Sequence, residues 1–391
     1  MFDEVVKHSA NIRLHNRKRI LNQLRFSGKT KKQLADALNL SIATASNLCN
    51  TLIQDGFLVS NSTNSSDGGR IPQCFMLKET ARFVVCLNVV ERDIITIALT
   101  DLMGTLLYQD HIDSRKCTTP DQLMEFSAEC IKDMLSTNGI ACEQLIGIGV
   151  AVSGNELGVS CTIQNSSGNP LLEGASIRET LGAIFPQTSV FIENEANEAV
   201  LALNYEHPSL NDLVYLYIGD GVGVGIISDG HLIRGYHGLG SEINHIQLGS
   251  HGYTCYCGQR DCIETEMSIV GFQRKYFELS GIEHSFNRYG WDLFEAAVRS
   301  NTESALHVIE ENGRMIGRTI SLLSQLFDAP DYWVGGFDSY IYSRLYPFIN
   351  EEVNERSIFK GLLEYHVHFD EGFHSIITKG CYELVFQNWL P

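Results

Sequence analysis

Two long parts of this 391-residue chain run through the same succession of segments, and that repetition constrains the fold more than any other feature. From about Thr80, RFVVCLNVV, DIITIALTD and GTLLYQDHI read as three strands joined by tight turns at Glu91-Arg92 and Met103-Gly104. A helix follows over Pro120 to Thr137, then the apolar strand LIGIGVAV, then SVFIENE, which feeds a helix from Ala196 to Tyr205. Later, LVYLYIG, GVGIISDG and HLIRG are again three strands with Gly-rich turns. Past a Cys-rich segment come helices near Met267 to Leu279 and Asp292 to Asp328, a strand YWVGG, and a helix from about Asp338. A repeated β-β-β-α-β-α plan predicts an α/β body of two similar lobes, 79–205 and 206–371, with a cleft between them suited to a small ligand. A last helix, about Phe373 to Leu390 within 372–391, is expected to pack back on the first lobe.

Residues 1–78 are different in kind. A helix of about Val5 to Phe26 is expected to turn Ile12, Ile20, Leu21 and Leu24 inward and Arg13, Arg17, Lys18 and Arg19 outward. Thr30 can cap a short helix, KKQLADALNL, with Leu34, Ala35 and Leu38 on its buried face. Ser41 can cap a third helix with Ala45, Leu48, Leu52 and Ile53 inside. Two short helices joined by a tight turn describe a helix-turn-helix, which leaves Ala43, Thr44, Asn47 and Asn50 outward and short enough to enter a major groove. Phe57-Leu58-Val59 and IPQCFMLK then read as the strands of a hairpin wing around NSTNSSDGGR, placing Arg70 at the tip for a phosphate or a narrow minor groove. The alternative is an ordinary three-helix domain that binds protein.

Charge supports the nucleic-acid reading. Of the 29 Lys and Arg and 47 Asp and Glu in the chain, residues 1–78 hold 11 and 5, leaving 18 and 42 for the remainder. A basic head on an acidic body suggests that only the head approaches a polyanion such as operator DNA. The longest clear apolar run, Leu145 to Val152, is far short of a membrane span, nothing resembles a signal peptide, and no membrane association is expected. Several of the 11 cysteines stand singly in apolar segments (Cys86, Cys130, Cys161, Cys381). That pattern suits reduced thiols, and the expectation is a cytoplasmic protein.

The Cys-rich segment, Gly238 to Ser268, holds His245, Cys255, Cys257 and Cys262. Three thiolates and one imidazole at this spacing can close tetrahedrally on a zinc ion, and four protein ligands leave no open position, so the expected zinc is structural. The alternatives are buried free cysteines or a disulfide from Cys255 to Cys257 or Cys262. Glu242, Glu264 and Glu266 in the same segment are acidic residues to follow, each of which by itself reads as a solvated surface charge.

GSEINHIQL followed by CYCGQRDCIETEMS resembles the ROK family of bacterial repressors and sugar kinases, with its Gly-Glu-x-Gly-His element and Cys-x-Cys-Gly-x-x-Gly-Cys-x-Glu. IENEANEAVLAL resembles the family's Glu-Asn-Asp-Ala-Asn stretch, and YIGDGVGVGIISDGHLIRG its second phosphate loop. The resemblance implies a winged helix-turn-helix joined to an actin-like (ribonuclease H-like) two-lobed sugar-kinase fold. It also implies a sugar site made by Asn194, Glu195, Glu242, His245 and Glu264. Departures bear on activity. Glu195 stands where the kinases have a general-base Asp, and a shift of about 1 Å damages in-line geometry. Asn88-Val-Val-Glu91-Arg92 stands where they have Asp-x-Gly-Gly-Thr, so the glycines that admit phosphate are absent and Glu91 repels it. Asn244 and Asp261 replace two family glycines. The expectation is a repressor, not an enzyme, that acts as a homodimer or higher homo-oligomer and responds to a sugar or sugar phosphate. The alternatives are an ATP-dependent sugar kinase and a repressor controlled by a protein partner.

Overall fold

The computed structural model describes residues 2–61, 73–157, 161–166, 168–282, 288–358, 362–389 and 391. The head consists of α1 (Phe2–Leu24), β1 (Lys29–Thr30), α2 (Lys31–Leu38), α3 (Ile42–Gln54), β2 (Leu58–Asn61) and β3 (Cys74–Leu77). Thr30 and Ser41 cap α2 and α3 as their hydroxyls promise, and Thr30 forms a full capping box with Gln33. Leu34, Leu38, Leu48 and Leu52 meet Ile20, Leu21 and Leu24 in one core. The wing has three strands in the order β1-β3-β2; β1, two residues long, gives no period for a sequence to reveal. Arg70 lies outside the described residues.

One inward and one outward assignment in α1 fail. Ile12, expected inside, is 49% exposed, about two turns before Ile20, where the core begins. Lys18 is only 6% exposed, because another part of the chain covers it.

The first lobe contains β4 (Phe83–Asn88), β5 (Ile94–Asp101), β6 (Leu106–Asp113), α4 (Pro120–Thr137), β7 (Leu145–Val152), β8 (Asn155–Leu157), β9 (Thr162–Gln164), α5 (Ile177–Ile184), β10 (Val190–Asn194) and α6 (Glu195–Glu206). The second contains β11 (Leu213–Ile218), β12 (Val222–Ser228), β13 (His231–Leu232), α7 (Ile263–Met267), α8 (Ile269–Ser280), α9 (Arg288–Arg299), α10 (Glu303–Phe327), β14 (Asp331–Gly335), α11 (Ser339–Arg356) and β15 (His366–Asp370). The sheets run β10-β7-β4-β5-β6 and β13-β12-β11-β14-β15. Numbered from the start of each lobe, both orders are 3-2-1-4-5, with strands 1 to 3 antiparallel and 1, 4 and 5 parallel. β15 is the fifth strand that the sequence reading omits from the second lobe.

Two long predicted helices are interrupted. Asn301 takes a left-handed φ of 53° between α9 and α10, and the Ser268 hydroxyl accepts from Gly271 N to start α8 afresh. The short hairpin of β8 and β9 and the helix α5 fill a stretch without clear periodicity.

The chain closes with α12 (Phe373–Asn388), which lies along α6 and against β7 and β4. Close approach requires Gly380, where a Cβ would sit 2.2 Å from Glu198 O. α12 also reaches the head. Arg25 forms a buried ion pair with Glu383, and its guanidinium stacks 3.9 Å from the Tyr205 ring and 4.1 Å from that of Phe386. Lys18 Nζ donates to Trp389 O at 2.7 Å and sits 4.1 Å above Phe386. Burial, followed by the charge of Arg25, pushes Lys18 down to about 7. Head, α12 and the inner face of the first lobe therefore share one hydrophobic core.

Candidate functional site

The cleft between the sheets has a volume of about 1160 Å³. Asn194 ends β10 and caps α6: its Oδ1 accepts from Ala196 N at 2.9 Å, while its Nδ2 donates to Glu195 Oε2 at 2.7 Å. Glu195 is 6% exposed. Burial, and then the charges of Glu242 and Glu264, push its carboxyl up to about 8 against the opposing help of its own backbone amide. Glu264 opens α7 and accepts from Val222 N at 3.0 Å and Asn244 Nδ2 at 3.1 Å. Burial carries it up to about 7, with those two bonds opposing. Glu242 accepts from Asn155 Nδ2 across the lobes. Asn194, Glu195, Glu242 and Asn244 all line the cleft, and Glu264 is tied directly to Asn244 and Val222 on its wall.

His245 ends a single turn of 3-10 helix, Ile243–His245. One ligand atom each from His245, Cys255, Cys257 and Cys262 lies within 4.8 Å of the others. Cys255 Sγ is 3.5 Å from His245 Nδ1, and Cys257 Sγ is 3.7 Å from Cys262 Sγ. A tetrahedral ion with metal–sulfur bonds of about 2.3 Å requires sulfurs about 3.8 Å apart. A disulfide requires about 2.05 Å, and the cysteines are free. The cluster can therefore hold a metal ion. Burial keeps the His245 imidazole below its usual range, in the neutral form that ligates.

The substituted glycine positions have physical explanations. Asp261 holds a left-handed φ of 60°, a conformation Asp tolerates, and its Oδ1 accepts from Gly252 N at 2.6 Å. Asn244 supplies a donor to Glu264 that no glycine side chain could. Glu266 is not a solvated charge. It is 1% exposed, 3.3 Å from Lys275 Nζ and 3.0 Å from His251 Nδ1, and it fastens the cysteine loop to α8.

At the end of β4, Asn88 Oδ1 accepts from Val90 N at 3.0 Å, and Val89 and Val90 are buried. Asn169 Nδ2 donates to Val89 O at 2.9 Å. The Gly219–Gly223 turn remains glycine-rich, yet part of that richness serves packing: a Cβ on Gly225, farther along β12, would lie 2.1 Å from Ala196 O. Asn155, which donates to the cleft residue Glu242, is missed by sequence reasoning, since a three-residue strand carries no periodic signal.

On the head, Ala43, Thr44, Asn47 and Asn50 are all exposed on α3. Thr44 is committed locally, its hydroxyl 2.8 Å from that of Ser41.

Comparison with known proteins agrees with this architecture. The chain is 23% identical over 382 residues to the xylose repressor of Caldicellulosiruptor bescii, covering 92% of each. Its fold matches the crystal structure of a ROK family transcriptional regulator, a homolog of the Escherichia coli MLC protein, with a TM-score of 0.81, 20% identity and 96% of both chains covered. It also matches the ROK hexokinase of Thermus thermophilus, with a TM-score of 0.64 and 20% identity over 77% of this chain and 97% of that one. That structure lacks a counterpart to roughly the share of this chain that the head occupies. The model of the ROK family matches residues 90–359, most of the two-lobed body, and the chain belongs to that family.

Proposed function

We propose that this protein is a sugar-responsive transcriptional repressor that uses its head to bind operator DNA and its cleft to sense a carbohydrate. One observation carries the reading: an exposed, well-capped α3 and a cleft lined by Asn194 and Glu242 share a chain whose first phosphate loop is closed by buried Val89 and Val90. Relatives named as repressors point the same way. Asn47 and Asn50 are the side chains offered to base edges, with Thr44 able to join them on leaving Ser41, Ala43 lets the helix approach, and Arg70, outside the described residues, is the proposed contact to the phosphate backbone. Asn194, Glu195, Glu242 and Glu264 pair with sugar hydroxyls, with His245 bound to the same loop.

The metal is zinc in this reading, and when bound it supplies a rigid crosslink that holds the loop bearing Glu242 and Glu264. Phosphoryl transfer is not expected, because Glu91 and the apolar turn before it offer no cradle to phosphate.

Coupling runs through α6. Its first turn carries Asn194 and Glu195, and its last turn places Tyr205 against Arg25 of the head. A sugar that closes the lobes binds one arrangement of this helix better than the other, and so shifts the head between states. Two heads in a homodimer would read paired half-sites.

The test is fluorescence anisotropy with operator fragments selected from genomic DNA. Sequence-specific binding should weaken about tenfold in Asn47→Ala and be relieved by a sugar. Glu242→Ala should bind DNA normally without that relief. Sugar-dependent consumption of ATP, or no sequence-specific DNA binding, would refute the proposal.

A further inference from the structure

Two bonds between the lobes adjoin Asn194 and Glu242. In the first, Arg234 Nε of the second lobe donates to Glu193 Oε2 of the first at 2.7 Å. Glu193, near the end of β10, also accepts through Oε1 from Asn194 N at 3.1 Å and from Asn197 Nδ2 at 2.9 Å. One carboxylate therefore holds the start of α6 with one oxygen and the second lobe with the other. In the second bond, Asn155 Nδ2 of the first lobe donates to Glu242 Oε1 of the second at 2.5 Å. Its neighbour Gly154 accepts from Asn194 Nδ2 at 3.3 Å.

The loop from Arg234 to Glu242 joins the two bonds. Its neck is closed where Gly240 N donates to Arg234 O at 2.9 Å, and a Cβ on Gly240 would lie 2.7 Å from Gly235 N. Gly235 has a left-handed φ of 69°, which glycine adopts freely. A displacement of Arg234 is therefore carried through the neck to Glu242, two residues past Gly240. The end of β8 adds an apolar contact, since a Cβ on Gly238 would sit 3.8 Å from Leu157 Cδ2.

The ion pair is modest in strength. The Arg234 side chain is 46% exposed and that of Glu193 10%, and such a pair changes an equilibrium about threefold. That size suits an adjustable restraint, because a much stronger bridge would hold the lobes in one arrangement whatever the ligand did.

We infer that Glu193, Arg234 and Asn155 are positioning residues of the cleft, which set the span between Asn194 on one lobe and Glu242 on the other and so the grip on a sugar between them. This rests on the reading of the cleft as a sugar site and adds residues outside that site. Because Glu193 also holds the start of α6, the same pair passes the arrangement of the lobes to the helix that reaches Arg25.

Two measurements on the full chain test this, one of them without sugar. By hydrogen exchange, Arg234→Met should speed the amides of the 234–242 loop and, on the other lobe, those of Asn155 to Leu157. Acceleration in the loop alone overturns the inference. The second measurement is isothermal titration with xylose, glucose and N-acetylglucosamine at about 50 and 500 mM salt. These sugars are uncharged, so salt acts on their affinity only through the protein. The affinity of wild type should fall about threefold at high salt, as the ion pair is screened. Arg234→Met should show the weaker affinity at both salt concentrations, and Arg234→Lys should recover most of the low-salt value. If Arg234→Met does not fold, the salt dependence of wild type and the Arg234→Lys variant decide. An affinity independent of both salt and residue 234 overturns the inference and leaves the sugar site standing. No binding by any of the three sugars at either salt concentration removes the positioning role together with the sugar reading.

Discussion

Glu195 shows how far a single position departs from its solution behaviour. Its carboxyl stays protonated up to about pH 8 in the fold, whereas the unfolded chain releases the proton near the ordinary value of 4.5. Between those values the folded state binds more protons than the unfolded one, so stability declines as pH rises from about 5 to about 8. Glu195→Gln keeps an acceptor for Asn194 but removes the ionisation. Its melting temperature should match wild type near pH 5.5 and exceed it at pH 8.5; equal differences at both values would show that Glu195 does not titrate in this window. At this scale the sequence is a good guide to ligands and a poor one to their supports. His245 and the three cysteines stand out by spacing alone. Asn155 and Arg234 have no spacing, and Glu266 is read as solvated because nothing in a linear sequence brings Lys275 to it.

The elements of the body follow from period and punctuation: the apolar runs of β4, β7, β11 and β14 declare themselves, and α4 is recovered to the residue. What escapes is short or edge-placed, as with β1, β8, β9 and β15. The role of α12 is only half legible. Its apolar character predicts packing on the first lobe, but its second contact, with the head, depends on Arg25 meeting Glu383 across 358 positions of sequence. Removal of one partner of a buried pair leaves an unpaired charge, so Glu383→Ala should cost about 3–5 kcal/mol in denaturant unfolding. Arg25→Met combined with Glu383→Leu should recover most of that loss, since an apolar pair of similar volume has no desolvation penalty. If the double variant is as unstable as the single, the pair is not what holds head and helix together. In the coupling proposed above, the double variant would also bind operator with a weakened sugar response.

For the whole molecule, the two lobes repeat one strand order, but among the described residues only the second carries the metal-ligand cluster. Zinc content measured by plasma mass spectrometry should be one ion per chain. Stripping it with a strong chelator should lower the melting temperature and abolish sugar binding, because the loop holding Glu242 and Glu264 loses its crosslink. Operator binding should persist, since the cluster belongs to the second lobe and the head packs on α12. Loss of both together would tie the cluster to the head. The shared core of α1 and α12 also bears on how the protein is made. Lys18 and its acceptor on Trp389 are 371 positions apart. At ribosomal speeds of about 5–20 residues per second, the head waits roughly 15–60 s after its own synthesis for the helix that covers it. Until then Lys18 and Arg25 lack their partners on α12, so the nascent head emerges without its final packing and matures only after the sensing body has been translated.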